Sequence, residues 1–154
     1  MTYKRIHNMA KTLVNYCVSV KERDLVGIIA QPLATPLVQE VLREVLRSGG
    51  YPYLLPYTVP LPTLAYEGLA QIFFEEANSD QLQHQDVFWK TLNEEFDVRI
   101  FILSEYNTQS LSEISPDKLK LRRQAHDDIF QTYFERMTTG ELRRVSTLFP
   151  TQAY

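Results

Sequence analysis

The sequence predicts an α/β fold, a mainly parallel sheet of about four strands flanked by helices. Two observations carry this. Short apolar runs rich in β-branched residues, Leu25–Ala30 and Val98–Leu103, read as strands buried on both faces rather than on one. Between them lie stretches whose apolar residues recur at three-and-four spacing, bounded by proline at one end and glycine at the other.

Residues 3–18 form an amphipathic first helix, with Ile6, Met9, Ala10, Leu13, Val14 and Cys17 on one face. A polar break, Ser19–Asp24, leads into the strand 25–30. Thr35-Pro36 then opens a helix, the hydroxyl capping free amides and the proline standing where no amide donor is needed. Leu37, Val38, Val41, Leu42, Val45 and Leu46 line one side, and Gly49-Gly50 closes the helix. Tyr51–Tyr57 follows as a strand bracketed by prolines, which remove ladder bonds from its ends.

Pro60 and Pro62 introduce a helix in which Ala65, Leu69, Ile72, Phe73 and Ala77 face one way, ending near Asn78, with a short turn over Ser79–Leu82. Phe88, Trp89, Leu92 and Phe96 mark another helix, and Asp97 leads into the strand 98–103. Ser115-Pro116 repeats the cap-and-proline device and opens one long helix, with Leu121, Ala125, Ile129 and Tyr133 in its apolar row, to Gly140. Leu142–Leu148 is the last strand. The layers are Rossmann-like, and strand order cannot be read from this alternation.

A chain of 154 residues fits a single domain able to bury a core without metal or disulfide staples. Sixteen basic and nineteen acidic residues give a net charge of −3, spread along the chain, which argues against a nucleic-acid partner. The basic set Lys118, Lys120, Arg122 and Arg123 reads as a solvated helix face. Cys17 is the one cysteine and reads as a buried thiol in a reducing, cytoplasmic setting. The N-terminus lacks the apolar stretch of a signal peptide, and no run reaches the roughly 20 apolar residues of a membrane span, so the expectation is a soluble protein with no membrane partner.

Ligands of such folds gather outside the carboxyl ends of the strands, here Gln31–Thr35, Tyr57–Val59, Ser104–Thr108 and Phe149–Thr151. None carries a phosphate-binding glycine loop, so no nucleotide cofactor is expected. Ser104-Glu105-Tyr106-Asn107-Thr108 is the best polar constellation, though its side chains serve equally to end a strand by bonding backbone. The tyrosines and prolines of 51–62 either line a peptide groove or make a stiff crossover. His7, His84 and His126 lie far apart without ligand spacing and read as partly exposed helix residues. Glu75-Glu76, Glu94-Glu95 and Asp127-Asp128 diverge by about 100° on a helix and read as solvated charge. No catalytic, cofactor-binding or metal-binding residue is assigned.

The ordered set Asp24–Ile28, Leu46-Arg47-Ser48-Gly49-Gly50-Tyr51-Pro52, Asn107-Thr108, Ser115–Leu119 and Gly140–Thr151 resembles the N-terminal half of the thermophilic metalloaminopeptidase family, the aminopeptidase T and S group. One departure is Arg144, where the family usually has Trp. The resemblance implies a parent enzyme that removes residues from peptide N-termini with two divalent metal ions, zinc or cobalt, held by acidic and histidine ligands in a C-terminal half. On this reading residues 1–154 are its non-catalytic N-terminal domain, truncated after Tyr154. The domain shapes the active-site chamber and aids homodimerisation, and its partners are the missing catalytic domain and, in the parent, the peptide substrate. A strand that runs into a Pro-Thr turn and stops fits this, and predicts an exposed apolar patch over 142–154 and self-association. The alternative is a stand-alone α/β module that binds a peptide or protein.

Overall fold

The structure, a computed structural model, describes residues 3–56, 68–104 and 114–150. In chain order these are α1 (Tyr3–Lys11) with a π-helical continuation (Thr12–Cys17), β1 (Leu25–Ala30), a 3-10 turn (Pro32–Ala34), α2 (Thr35–Arg47), β2 (Tyr51–Pro56), α3 (Leu69–Glu76) and α4 (Ser79–Gln83). Then follow α5 (Val87–Glu95), β3 (Val98–Leu103), α6 (Pro116–Gln124), α7 (Asp127–Thr139) and β4 (Arg143–Leu148). The strands form one sheet with every pairing parallel, in line with the predicted mainly parallel α/β fold, and the structure supplies the order that the sequence leaves open, β2-β1-β3-β4.

The apolar runs become the central strands because both their faces are covered. Val26, Ile28, Val98 and Ile100 meet Ala10, Val14, Leu37 and Val41 of α1 and its continuation and of α2. On the opposite face Ile29 packs with Trp89, Leu92 and Phe96 of α5 and its end and with Ile129 of α7. Burying each such aliphatic side chain is worth about 1.5–3 kcal/mol. A smaller cluster, Ala70, Phe74, Leu82 and Ile114, joins α3 and α4 to the approach to α6. Gly27 is in the sheet because α5 presses on it: a Cβ there would lie 2.5 Å from Leu92 Cδ1 and 3.4 Å from Phe96 Cδ1.

The two outer strands differ. Tyr51 N–H donates to Asp24 O, so in the parallel register Tyr53 and Leu55 also turn inward, while Pro52, Leu54 and Pro56 present their backbone to the open edge. Proline carries no N–H, so two of these outward positions have no donor to offer a foreign strand. In β4, Arg143 N–H donates to Asp97 O and Phe149 N–H to Leu103 O, which leaves Arg144, Ser146 and Leu148 facing outward.

Several sequence-based expectations are corrected. Cys17 is exposed, not buried. Thr12 Oγ1 donates to Asn8 O at 3.0 Å, and the helix widens to i→i−5 bonding, as in Val18 N–H to Leu13 O; the apolar stripe therefore lands on Val18. Thr35 does not cap α2: its hydroxyl donates back to Pro32 O at 2.5 Å, and Ala34 holds the cap position without a side-chain bond. Leu42 and Leu46 are 39% and 57% exposed, because α2 turns Glu40 and Glu44 toward α1 instead. Gly49, at φ +80, closes α2 as expected.

In α3 the buried stripe is Ala70, Phe74 and Ala77, and Ile72 stands 56% exposed; Ala65 lies outside the described residues. The turn over 79–82 is the helix α4, started by an Asn78–Gln81 capping box. Phe88 is exposed, so of the four residues expected on the apolar face of α5 only Trp89, Leu92 and Phe96 are buried. Ser115 makes no side-chain cap bond.

The long helix after Ser115 is two, α6 and α7. His126 Nδ1–H donates to Arg122 O at 2.9 Å, taking the carbonyl that its own amide would use in a continuing helix. That amide turns to Arg123 O, and α7 restarts with Asp127 and Asp128 in its first turn. The expected apolar patch at the chain end is reduced to Leu148 among the described residues: Leu142 is buried, β4 alternates between half-buried and exposed, and 151–154 lie outside the described residues.

Candidate functional site

Because β1 and β3 are neighbours, the chain changes direction across the sheet between them, and their carboxyl ends form the crevice where ligands of open α/β sheets collect. Gln31 follows β1 in extended conformation and leads into the 3-10 turn, whose Ala34 is buried. Ser104 follows β3, fully buried, and its hydroxyl has no hydrogen-bond partner among the described residues. Of the four segments singled out in the sequence, the structure thus sets Gln31 and Ser104 at the ends of adjacent strands. Phe149 packs on the main core, while Tyr57–Val59, Glu105–Thr108 and Thr151 lie outside the described residues.

A second hollow of about 450 Å³ opens between α3 and α4, lined by Ile72, Phe73, Glu76, Ala77, Asp80, Gln81 and His84. Its floor is apolar and its rim carries two carboxylates and an imidazole. Asn78 Oδ1 accepts from Gln81 N–H and Gln81 Oε1 from Asn78 N–H, both at 2.9 Å, which fixes the start of α4. Lys118 Nζ donates to Phe74 O at 2.5 Å and Glu75 O at 3.2 Å, holding the end of α3. Sequence reasoning missed this hollow. The signal was the four-residue spacing of Glu76, Asp80 and His84, which was hidden by treating 79–82 as a turn.

Several other titratable groups are bound into structure. Arg122 is buried, not solvated: its guanidinium donates to Leu82 O at 3.2 Å and also to His84 O, and lies 5.4 Å from the Phe73 ring. Burial pushes its pKa down, opposed by Asp86. Lys118 is likewise a tie between helices, while Lys120 and Arg123 are exposed as expected. His126 is fully buried rather than partly exposed. Since Arg122 O can only accept and Asp86 N–H can only donate, Nδ1 carries the proton and Nε2 accepts from Asp86 at 3.1 Å. Burial holds its pKa below the usual imidazole range, the Arg122 carbonyl opposing.

Along the α1–α2 seam His7 Nδ1–H donates to Glu40 Oε2 at 2.9 Å and Asn15 Nδ2–H to Glu44 Oε2 at 3.2 Å. The bond from His7 lowers the Glu40 pKa; burial works to raise that of Glu44, but the bonds from Arg47 and Asn15 bring it down on balance. Glu75, Glu76, Glu94, Glu95, Asp127 and Asp128 are exposed, as expected for solvated pairs. Among the described residues no group of three or more His, Cys, Asp or Glu side chains is placed to hold a metal ion. Nor, among them, is any helix long and apolar enough to cross a membrane.

Comparison with known proteins agrees with this architecture. Wild-type AmpT from Thermus thermophilus superposes with a TM-score of 0.72 at 14% identity, covering 97% of this chain and 37% of its own. The chain therefore spans little more than a third of that relative, and the likeness concerns the fold. No curated protein matches by sequence. The model of the thermophilic metalloprotease family, M29, matches residues 2–154. With a match that runs from one end of the sequence to the other, the chain belongs to the thermophilic metalloprotease family.

Proposed function

We propose that this chain is a non-catalytic α/β domain of a metal-dependent aminopeptidase that hydrolyses N-terminal residues from peptides, and that it shapes the approach to the active site rather than cleaving the bond. One observation carries the reading: the family model takes in residues 2–154 while the chain corresponds to 37% of the solved relative. A family enzyme of that length has further residues to supply its chemistry.

The described residues do not fit a two-metal centre. Glu40, Glu44 and His126 are engaged in helix-to-helix bonds, and the exposed carboxylates do not converge. Metal activation of water and polarisation of the scissile carbonyl therefore belong, on this reading, to a C-terminal catalytic domain. Homodimerisation and a cytoplasmic setting are parts of the same proposal, the second supported by the exposed, unpaired Cys17.

The test is direct. The 154-residue chain, supplied with zinc or cobalt, is expected to release no chromophore from aminoacyl p-nitroanilides above the metal-only blank. Equilibrium dialysis is expected to show no stoichiometric metal. Turnover with tight metal binding would place the chemistry in this chain and overturn the proposal.

A further inference from the structure

Charge on the α5–α7 face of the sheet is arranged in a way that packing alone does not explain. Arg99 of β3 is only 8% exposed, yet among the described residues its guanidinium makes no ion pair. Its hydrogen bond there is from Nη1–H to Asn93 Oδ1 at 2.5 Å. The charge lies over two rings, 4.8 Å from the centroid of Trp89 and 4.6 Å from that of Tyr133. Such contacts offset part of the cost of burying a cation, but a ring face does not use the in-plane N–H donors, of which a guanidinium has five.

The neighbouring strand adds to the problem. Register places Arg144 of β4 directly beside Arg99, with its own guanidinium 5.8 Å from the same Tyr133 ring. Like charges directly opposed across two strands destabilise a sheet. The nearby acid does not relieve them, since Glu141 pairs with Arg136 at 3.5 Å. Burial, opposed by Tyr133 and assisted by Arg144, pushes Arg99 down to about 10. The Trp89 indole N–H, buried in the same cluster, has no hydrogen-bond partner among the described residues.

We propose that Arg99 and Arg144, over the Trp89 and Tyr133 rings, form a binding site for an oxyanion, the carboxylate or phosphate group of a ligand. Either group offers paired oxygens to guanidinium forks and removes the repulsion between the two cations. The site is on the face of β3 and β4 away from α1 and α2, and it does not depend on the peptidase reading.

Trp89 is the single tryptophan of the chain, so emission excited at the red edge of tryptophan absorption, where tyrosine does not absorb, reports on this cluster. The intact chain is titrated with sodium phosphate and, separately, with sodium succinate, ionic strength being held constant with sodium chloride. A saturable change in emission with a midpoint in the millimolar range is expected for at least one anion. Phosphate alone, or succinate alone, would identify which oxyanion the site takes. Arg144 is exposed, so Arg144→Gln leaves the fold intact by circular dichroism. It is expected to weaken binding about tenfold or more, with Arg144→Lys recovering part of the loss. No saturable response to either anion, or an unchanged midpoint in Arg144→Gln, would overturn the proposal.

Discussion

Gly27→Val is expected to destabilise the domain by about 3 kcal/mol or more, read from the midpoint of a urea transition. The position is in the middle of β1, hydrogen-bonded to β2 and β3 on either side, so the strand cannot back away. Its α5-facing side is already filled. A Cβ would stand 2.5 Å from Leu92 Cδ1 and 3.4 Å from Phe96 Cδ1, and the two γ-methyls of valine would go further into that contact. Alanine is the milder case, because the Leu92 methyl is the far end of a rotatable side chain, and should cost about 1–2 kcal/mol. Adding Leu92→Ala to Gly27→Ala should cost less than the sum of the two single changes, since the new methyl occupies space the leucine gave up. Strict additivity would show that the Gly27–Leu92 contact does not limit packing.

His126→Ala should cost about 3 kcal/mol, by the loss of a buried ring and of both its hydrogen bonds. The imidazole joins the N-cap of α5, through Asp86 N–H, to the last turn of α6, through Arg122 O. It also sets the break from which α7 starts. The same geometry predicts a pH dependence. The folded pKa of His126 lies below its ordinary value, so the unfolded chain binds more protons in the interval between the two. Stability from this group is complete above about pH 6.5 and is lost as pH falls toward the folded pKa. The carboxylates held low, Glu40, Glu44 and Asp128, act at more acid pH, their contribution disappearing as pH drops through their folded pKa values. Urea midpoints between pH 7 and pH 5 should therefore fall for the parent chain and fall less for His126→Ala. Equal slopes in both proteins would remove His126 from the pH response.

The strands were legible in the sequence because their signal is local: Val26, Ile28, Val98 and Ile100 are apolar whichever neighbour they meet. Strand order was not, since nothing in an apolar run says which run lies beside it. Helix faces were read less well where burial depends on a distant partner. Glu40 and Glu44 count as polar on any periodicity scale, and only His7 and Asn15, from another helix, make them interior. His126, Arg122 and Arg99 escaped for the same reason, their burial being tied to backbone carbonyls, an asparagine and ring faces that distant segments contribute. Of the candidate site, the crevice at Gln31 and Ser104 followed from the strand-helix alternation. Family membership was legible only as an ordered set of segments spread over the chain, because no single motif in it carries chemistry.

The unequal edges of the sheet make it a one-sided template. An incoming strand meets a lone amide donor, Leu54, along β2, but meets Arg144, Ser146 and Leu148 in succession along β4. Aggregation nucleated by strand addition would thus propagate from a single flank, and a proline at Ser146, whose amide points away from β3, would close that flank without disturbing the ladder within.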